Sequence, residues 1–262
     1  MTLANDTALR NIQLEILDEV HAFCQSNGIR YSLTYGTLLG AVRHKGYIPW
    51  DDDIDLMMPR PDYERFVKEF TSSRNEVIIL KEIDSCVEMF SKVCRKGTKM
   101  VDKKLGRGQW GVNIDIFPVD GCPDDARHRA LIDRKINLLA RICPRYKVVN
   151  RQKPVWFLKF LAKRILYFYP HSISHLKEEI DTLAACNPAS KPYAGVLMEG
   201  CDSFLTESSV YEDYIYLPFE EKEYYAVRDY DRLLTTKYGD YMTPPPPESR
   251  VSLHQYDVYI DA

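Results

Sequence analysis

Residues 35–60 read YGTLLGAVRHKGYIPWDDDIDLMMPR, and the fold turns on how this run is parsed. Just ahead of it, Ile29, Tyr31, Leu33 and Tyr35 alternate with Arg30, Ser32 and Thr34, the period-two pattern of a half-buried strand that ends at Gly36-Thr37. TLLGAVRHKG then reads as a short helix closed by Gly46. Ile54 and Leu56, with their flanking acids, read as a second strand ending at Met58-Pro59.

Asp51, Asp52, Asp53 and Asp55 crowd into that second strand. Solvated acidic loops are common, but the interleaved Ile54 and Leu56 argue for a strand with Asp53 and Asp55 on one face, about 6.7 Å apart. At an effective dielectric near 20 two such charges repel by roughly 2.5 kcal/mol. A divalent cation relieves this, and an all-carboxylate ligand set suits Mg²⁺ or Mn²⁺. An EF-hand Ca²⁺ loop fails on inspection: with Asp51 opening the loop, Leu56 falls where Gly is needed and Asp62 where a bidentate Glu belongs.

Gly36-Thr37 sits at a strand-to-helix junction, where free N–H groups and the helix dipole favour a phosphate. The acid-x-acid strand follows it closely, so phosphate pocket and metal can lie side by side, as phosphotransfer requires. A two-cation site needs a third acid. NIDIF supplies Asp115, set between Ile114 and Ile116 and leaving its strand on the opposite face. Asp120, after Pro118, reads as a turn residue. Arg43 and His44 lie within reach of phosphates bound at Thr37, with a solvated surface pair as the other reading.

Outward from this centre, residues 8–26 carry Leu9, Ile12, Ile16, Val20, Phe23 and Cys24 at helical spacing, stopped by Asn27-Gly28. Pro61 to Phe70 reads as a helix. EVIIL (76–80), CVEMFSKVC (86–94) and GVNIDIFPVD (111–120) read as strands, with turns at Gly97 and at Gly106 to Gly108. Residues 1–120 are thus an α+β unit. From 127 to 177 thirteen Lys and Arg face Asp133 alone, which suggests helices with a basic surface for an anionic partner. Within it VWFLKFLAKRILYFY (155–169) reads as a core helix, or as an in-plane helix on an anionic membrane through Lys159, Lys163 and Arg164.

The whole chain has 262 residues and a net charge of −3, which excludes disorder and gives no overall basic field for nucleic acid. Seven cysteines without a C-x-x-C pair suggest reduced thiols rather than zinc or a disulfide set. The N-terminus lacks a signal-peptide pattern, so the expected place is the cytoplasm or the inner face of the membrane. Four prolines at 244–247 break any regular element.

GTLLGAVRHKGYIPWDDDID, the later NIDIFPVD and the closing YGDYMTPPPPESR with His254 resemble the LicD choline-phosphate transferase family, related to the fukutin proteins, over nearly the whole chain. The resemblance implies a nucleotidyltransferase-like mixed-sheet core with flanking helices over residues 1–122. A helical, basic and Tyr/Pro-rich part over 123–262 would pack on that core. It implies Gly36 and Thr37 as the phosphate-binding step, and Asp53, Asp55 and Asp115 as catalytic metal ligands. Asp51 and Asp52 are less secure, and Arg43, His44, Asp52, Arg250 and His254 are substrate-binding candidates. The activity implied is transfer of phosphocholine or a related phospho-alcohol from a CDP-alcohol, CDP-choline foremost, to a sugar hydroxyl of a cell-surface or lipid-linked glycan. The zinc-binding insertion of the animal relatives finds no matching cysteine spacing.

Three rival readings use the same residues. Acid-x-acid also serves glycosyltransferases, but those place about twice as much nucleotide-binding structure ahead of it. Transfer of the nucleotide itself shares every acid and differs only in product. A scaffold without activity would not need Asp53, Asp55 and Asp115 intact.

Overall fold

A computed structural model describes residues 2–4, 6–84, 86–102, 110–142, 169–201, 205–251 and 256–261. His254, the Gly106–Gly108 turn and residues 155–168 of the basic apolar stretch lie outside the described residues.

Helix α1 (Asp6–Asn27) forms as its spacing dictates: Leu9, Ile16, Leu17, Val20 and Cys24 are buried on one face, with Ile12 and Phe23 packed at its border. It stops where Gly28 takes φ +61° and the Ile29 N–H turns back to the Cys24 carbonyl at 2.9 Å.

The alternating run that follows is not a half-buried strand. Only β2 (Ser32–Leu33) pairs, antiparallel to β3 (Asp55–Pro59), and Tyr31, Ser32, Leu33 and Thr34 are all buried. The second face is covered by a later hairpin, whose Val227 N–H donates to Ser32 Oγ at 2.9 Å. Helix α2 (Tyr35–Arg43) starts two residues before Thr37, at a Tyr35 with φ +47°. Its exit bend is made by Lys45, φ +62°, and not by Gly46. Gly46 is small for another reason: a Cβ there would meet Glu220 Oε1 at 2.3 Å.

The central sheet has the order β2-β3-β7-β5-β4, with β4 (Asn75–Ile79), β5 (Ser91–Arg95) and β7 (Asn113–Gly121). β3 and β7 run parallel and the other pairs antiparallel. β5 is shorter than its apolar run because the backbone before it is diverted. The buried ammonium of Lys177 takes the carbonyls of Leu80, Ile83 and Cys86 at 2.6, 2.6 and 3.2 Å. Pro118 sits between the part of β7 that pairs with β5 and the part that pairs with β8 (Tyr193–Gly195), a gap in which that edge has no neighbour.

Helices α1, α2 and α3 (Arg60–Glu69) pack on β3, β5 and β7. Helices α4 (Ala126–Ile142) and α5 (Ile173–Ala184) build a second apolar cluster from Ile132, Leu139, Leu176 and Ile180. The basic half is therefore helical where it is described, but beyond α5 the chain returns to strands. β9 (Thr206–Glu207) pairs with β8, and β10 (Tyr214–Phe219) pairs with β11 (Lys222–Val227) in a hairpin. Helix α6 spans Tyr230–Tyr238. β1 (Thr2–Ala4), β12 (Tyr256–Ile260) and β6 (Thr98–Asp102) make a separate antiparallel sheet that ties the two ends of the chain together. This mixture of helices and mixed sheets agrees with the α+β reading. No helix among the described residues is long and apolar enough to cross a membrane.

Asp120 is not in a turn. β7 runs through it, and its carboxylate, 0% exposed, accepts two hydrogen bonds from Arg60 at 2.6 and 2.7 Å and one from the Cys186 N–H at 3.2 Å. Burial raises its pKa, and Arg60 works in the opposite direction. Arg60 also reaches Asp181 at 2.9 Å, so one guanidinium joins α3, β7 and α5. Arg60→Met strands the buried carboxylate and should cost about 3–5 kcal/mol, read as a lower urea midpoint at unchanged slope. Replacing both partners, Arg60→Met with Asp120→Leu, should recover most of that loss.

Candidate active site

The acids assemble where β3 begins. Across three adjacent strands Lys92, Asp115 and Asp55 stand in one row, since Asp115 faces Asp55 in the parallel pair and Lys92 in the antiparallel one. The Lys92 ammonium donates to Asp115 Oδ1 and, at 3.0 Å, to Asn113 Oδ1. Burial works against the ammonium, but the Asp115 carboxylate more than offsets it and lifts Lys92 above the usual lysine range.

Asp53 is not on the strand with Asp55. The strand starts at Asp55, and Asp53 belongs to the loop before it. In that loop the carboxylates of Asp51, Asp52 and Asp53 offer oxygens within 4.8 Å of one another. The set placed to share a cation is therefore three consecutive aspartates, with Asp55 and Asp115 beside them. Burial, then Asp53, Asp115 and Asp51, drive the Asp55 carboxyl well above its ordinary range. Burial and Asp53 likewise push Asp51 up to about 7. Crowded carboxylates that resist ionisation are what a hard cation with oxygen ligands relieves.

The loop is braced from several sides. Thr37 Oγ1, on the first turn of α2, accepts the Asp55 N–H at 2.8 Å, and the Thr34 N–H donates to the Asp55 carbonyl at 3.0 Å. From α1, Arg10 Nη2 donates to the Asp51 carbonyl at 2.8 Å, and the buried Gln13 donates to the Asp52 carbonyl at 2.9 Å. Gly36 leaves room for the Asp51 carboxylate: a Cβ there would lie 2.3 Å from Asp51 Oδ2. Gly36 and Thr37 thus shape and fasten the acidic loop, in addition to lying at the N-terminus of α2.

The other candidates gather around Trp50. The Arg250 guanidinium carbon stands 5.5 Å from the centre of a Trp50 ring, and His44 meets Trp50 edge-on at 6.3 Å. Arg43 Nη1 donates to the Tyr241 carbonyl at 2.7 Å. Burial lowers the Arg43 pKa and Arg250 lowers it further, so the two cations sense each other. Among the described residues neither forms an ion pair with a carboxylate. Burial, helped by Arg43, lowers His44 from its usual value and so favours the neutral imidazole.

Four residues at the site escape the motif reading. Lys92 had a faint signal, its alternation with Val93 inside an apolar run, but only the strand order places it against Asp115. Lys237 and Glu199 come from the second half and had none, and Tyr238 stood only as the first residue of the closing YGDYMTPPPPESR run. The Lys237 ammonium lies 3.9 Å from the centre of the Tyr35 ring, and burial pulls its pKa down to about 8 while Glu199 and Asp55 oppose the drop. Burial and the charges of Asp55, Asp51 and Asp53 raise Tyr238.

The raised Asp51 pKa has a sign that can be checked. Between the ordinary carboxylate range and about 7 the folded protein binds a proton that the unfolded chain releases. This group's contribution to metal-free stability is therefore present at low pH and falls as pH rises through that window. In chelator, wild type should lose more thermal stability than Asp51→Asn between pH 5 and 8. Adding a divalent cation at pH 8 should recover the loss in wild type and less of it in the variant. Equal pH slopes in the two proteins would remove Asp51 as the titrating group.

Comparison with known proteins bears on the same region. The family model "LicD/FKTN/FKRP, nucleotidyltransferase domain" matches residues 28–130, a span that holds Gly36, all five site aspartates and Lys92. The lipopolysaccharide cholinephosphotransferase LicD of Haemophilus influenzae is 30% identical over 258 residues, covering 94% of this chain and 95% of that protein. Uncharacterised proteins of Rickettsia typhi and Rickettsia prowazekii match shorter stretches, 42% identical over 52 residues and 44% over 48, at 20% and 18% of this chain. The similarity to the Haemophilus protein runs through both halves that meet at the aspartates, and the chain belongs to the LicD family.

Proposed function

We propose that this protein is a divalent-cation-dependent transferase. It moves phosphocholine, or a related phospho-alcohol, from a CDP-activated donor to a sugar hydroxyl of a glycan and releases CMP. The observation that carries the reading is the near end-to-end similarity to a lipopolysaccharide cholinephosphotransferase, supported by the row of Asp55 and Asp115 beside three further aspartates.

Asp51, Asp52, Asp53 and Asp55 would hold Mg²⁺ or Mn²⁺; the shared oxygen cluster and the clearance at Gly36 fit such an ion. When bound, the cation supplies charge neutralisation for the donor's pyrophosphate. Arg43 and Arg250 present cationic groups without a carboxylate partner among the described residues, and they serve the donor's phosphate oxygens. His254, by the family pattern, is assigned to the same end of the substrate.

Asp115 is held by Lys92 and faces the start of β3. It accepts the proton of the incoming sugar hydroxyl, or orients that hydroxyl for attack. The sugar oxygen forms a bond to the phosphorus that bears the alcohol, the bond from that phosphorus to CMP breaks, and CMP leaves with the electron pair. Catalysis is then positioning and charge neutralisation, with no covalent enzyme intermediate. A glycan carried on a lipid would bring the acceptor to a membrane surface.

Incubation with CDP-choline, CDP-ethanolamine or CDP-ribitol, a divalent cation and candidate glycans tests the reading by the CMP released and the phosphodiester formed. Asp53→Asn and Asp55→Asn should each lower turnover by at least about 10²-fold while the fold, followed by circular dichroism, persists. Nucleotide attached to the glycan would assign nucleotidyl transfer instead, and sugar transfer from a nucleotide sugar would assign a glycosyltransferase. Turnover retained in both Asn variants would remove the metal proposal.

A further inference from the structure

Beside the acids, α2 and α6 enclose a cavity of about 20 Å³ lined by Tyr35, Leu38, Met57, Tyr211, Leu234 and Tyr238, with Lys237 also on its wall. A space of this size holds about one water. The chain's own lysine stands in its wall, with the ammonium 3.9 Å from the centre of the Tyr35 ring and 5.9 Å from that of Tyr238. The charges of Glu199 and Asp55 act on the same ammonium. Two aromatic faces on a largely apolar wall, with two acids near enough to act on a cation there, are the features that hold a cation needing no hydrogen bonds.

We propose that this box is the seat of the quaternary ammonium of the transferred alcohol, and that Lys237 occupies it only while the donor is absent. The box adjoins the reacting centre: Thr34 on its wall is hydrogen-bonded to Asp55, and Met57 is two residues further along β3. An alcohol whose phosphate lies at the acids therefore has its charged end within reach of Tyr35. Lysine can vacate the box because its charge rides on a flexible four-carbon stem and can turn toward water. A trimethylammonium group cannot donate hydrogen bonds, so it loses nothing by sitting among ring faces and aliphatic side chains. Donors with uncharged alcohols gain nothing from the box, which makes Tyr35, Tyr238 and Glu199 specificity residues for a cationic alcohol.

The inference rests on the phospho-alcohol reading, and calorimetric binding of phosphocholine and of glycerol phosphate, with Mg²⁺, separates the two. Tyr35→Leu should weaken phosphocholine about tenfold relative to glycerol phosphate, within the range of a desolvated cation–π contact. Lys237→Met should tighten phosphocholine about threefold or more, because no resident cation has to be displaced. If Lys237 instead contacts phosphate, Lys237→Met weakens both ligands, and the inference is overturned. It is overturned as well if neither variant changes the preference between the ligands. Where Tyr35→Leu fails to fold, the sign of the Lys237→Met effect decides alone. A wild-type protein that turns over no CDP-alcohol sinks the phospho-alcohol reading and this inference with it. Turnover of CDP-choline with an unmoved preference sinks the inference only.

Discussion

Five carboxylates held around the first residue of β3 repel one another, and much of the surrounding polar structure bears that repulsion. The loop that carries Asp51, Asp52 and Asp53 cannot relax outward, because α1 grips its carbonyls through Arg10 and Gln13. Asp55 cannot shift along its strand, because Thr37 holds its N–H and Thr34 its carbonyl. Asp115 is met on its far side by Lys92. These contacts are made by backbone groups or by side chains anchored in rigid elements, so the acids are fixed before any ligand arrives. A site prepared in this way spends little of its binding energy on reorganisation.

The same contacts explain why α1 belongs to the site although none of its residues is an acid of the cluster. Its apolar face is read by the core, and its polar residues Arg10 and Gln13, three positions apart and so on one side of the helix, are read by the loop. Arg10 also stacks over Tyr47 at 4.7 Å, and Gln13 accepts the Tyr47 hydroxyl at 3.0 Å. One aromatic residue thereby couples the two grips. A substitution at Tyr47 would disturb the acids without touching them.

What the sequence made legible was local. The spacing of Leu9 to Cys24 gave α1, and the isoleucines around Asp115 gave a strand with an acid on its far face. Those patterns depend on residues a few positions apart. The readings that failed depended on partners far along the chain. Residues 29–35 alternate, yet both faces are covered, the second by a hairpin nearly 200 residues later. Asp120 looked like a turn residue after Pro118 because its partner Arg60 is 60 positions away. Asp53 was assigned to a strand by the Ile54 and Leu56 pattern, but the crowding of Asp51, Asp52 and Asp53 keeps that segment in the loop. The roles of Lys92, Lys237 and Tyr238 went unread for the same reason as that of Arg60: they are defined by strand order and helix packing, which no single window of sequence carries.

The charge balance of the site sets an order of events for the proposed reaction. With Asp51 and Asp55 held toward the protonated state by burial and by the charge of Asp53, the cation-free site resists full ionisation. A divalent ion that binds there must release protons, so its affinity rises with pH until the acids are ionised. A pyrophosphate donor brings more negative charge and meets repulsion from these carboxylates until the ion is in place. Arg43 and Arg250 are not among the groups that act on Asp51 or Asp55; Arg43 holds the Tyr241 carbonyl and Arg250 stands over Trp50. In the proposed reaction they would meet the donor's phosphate oxygens once the acids are neutralised. Cation first and donor second is therefore the sequence that Coulomb's law favours at this surface.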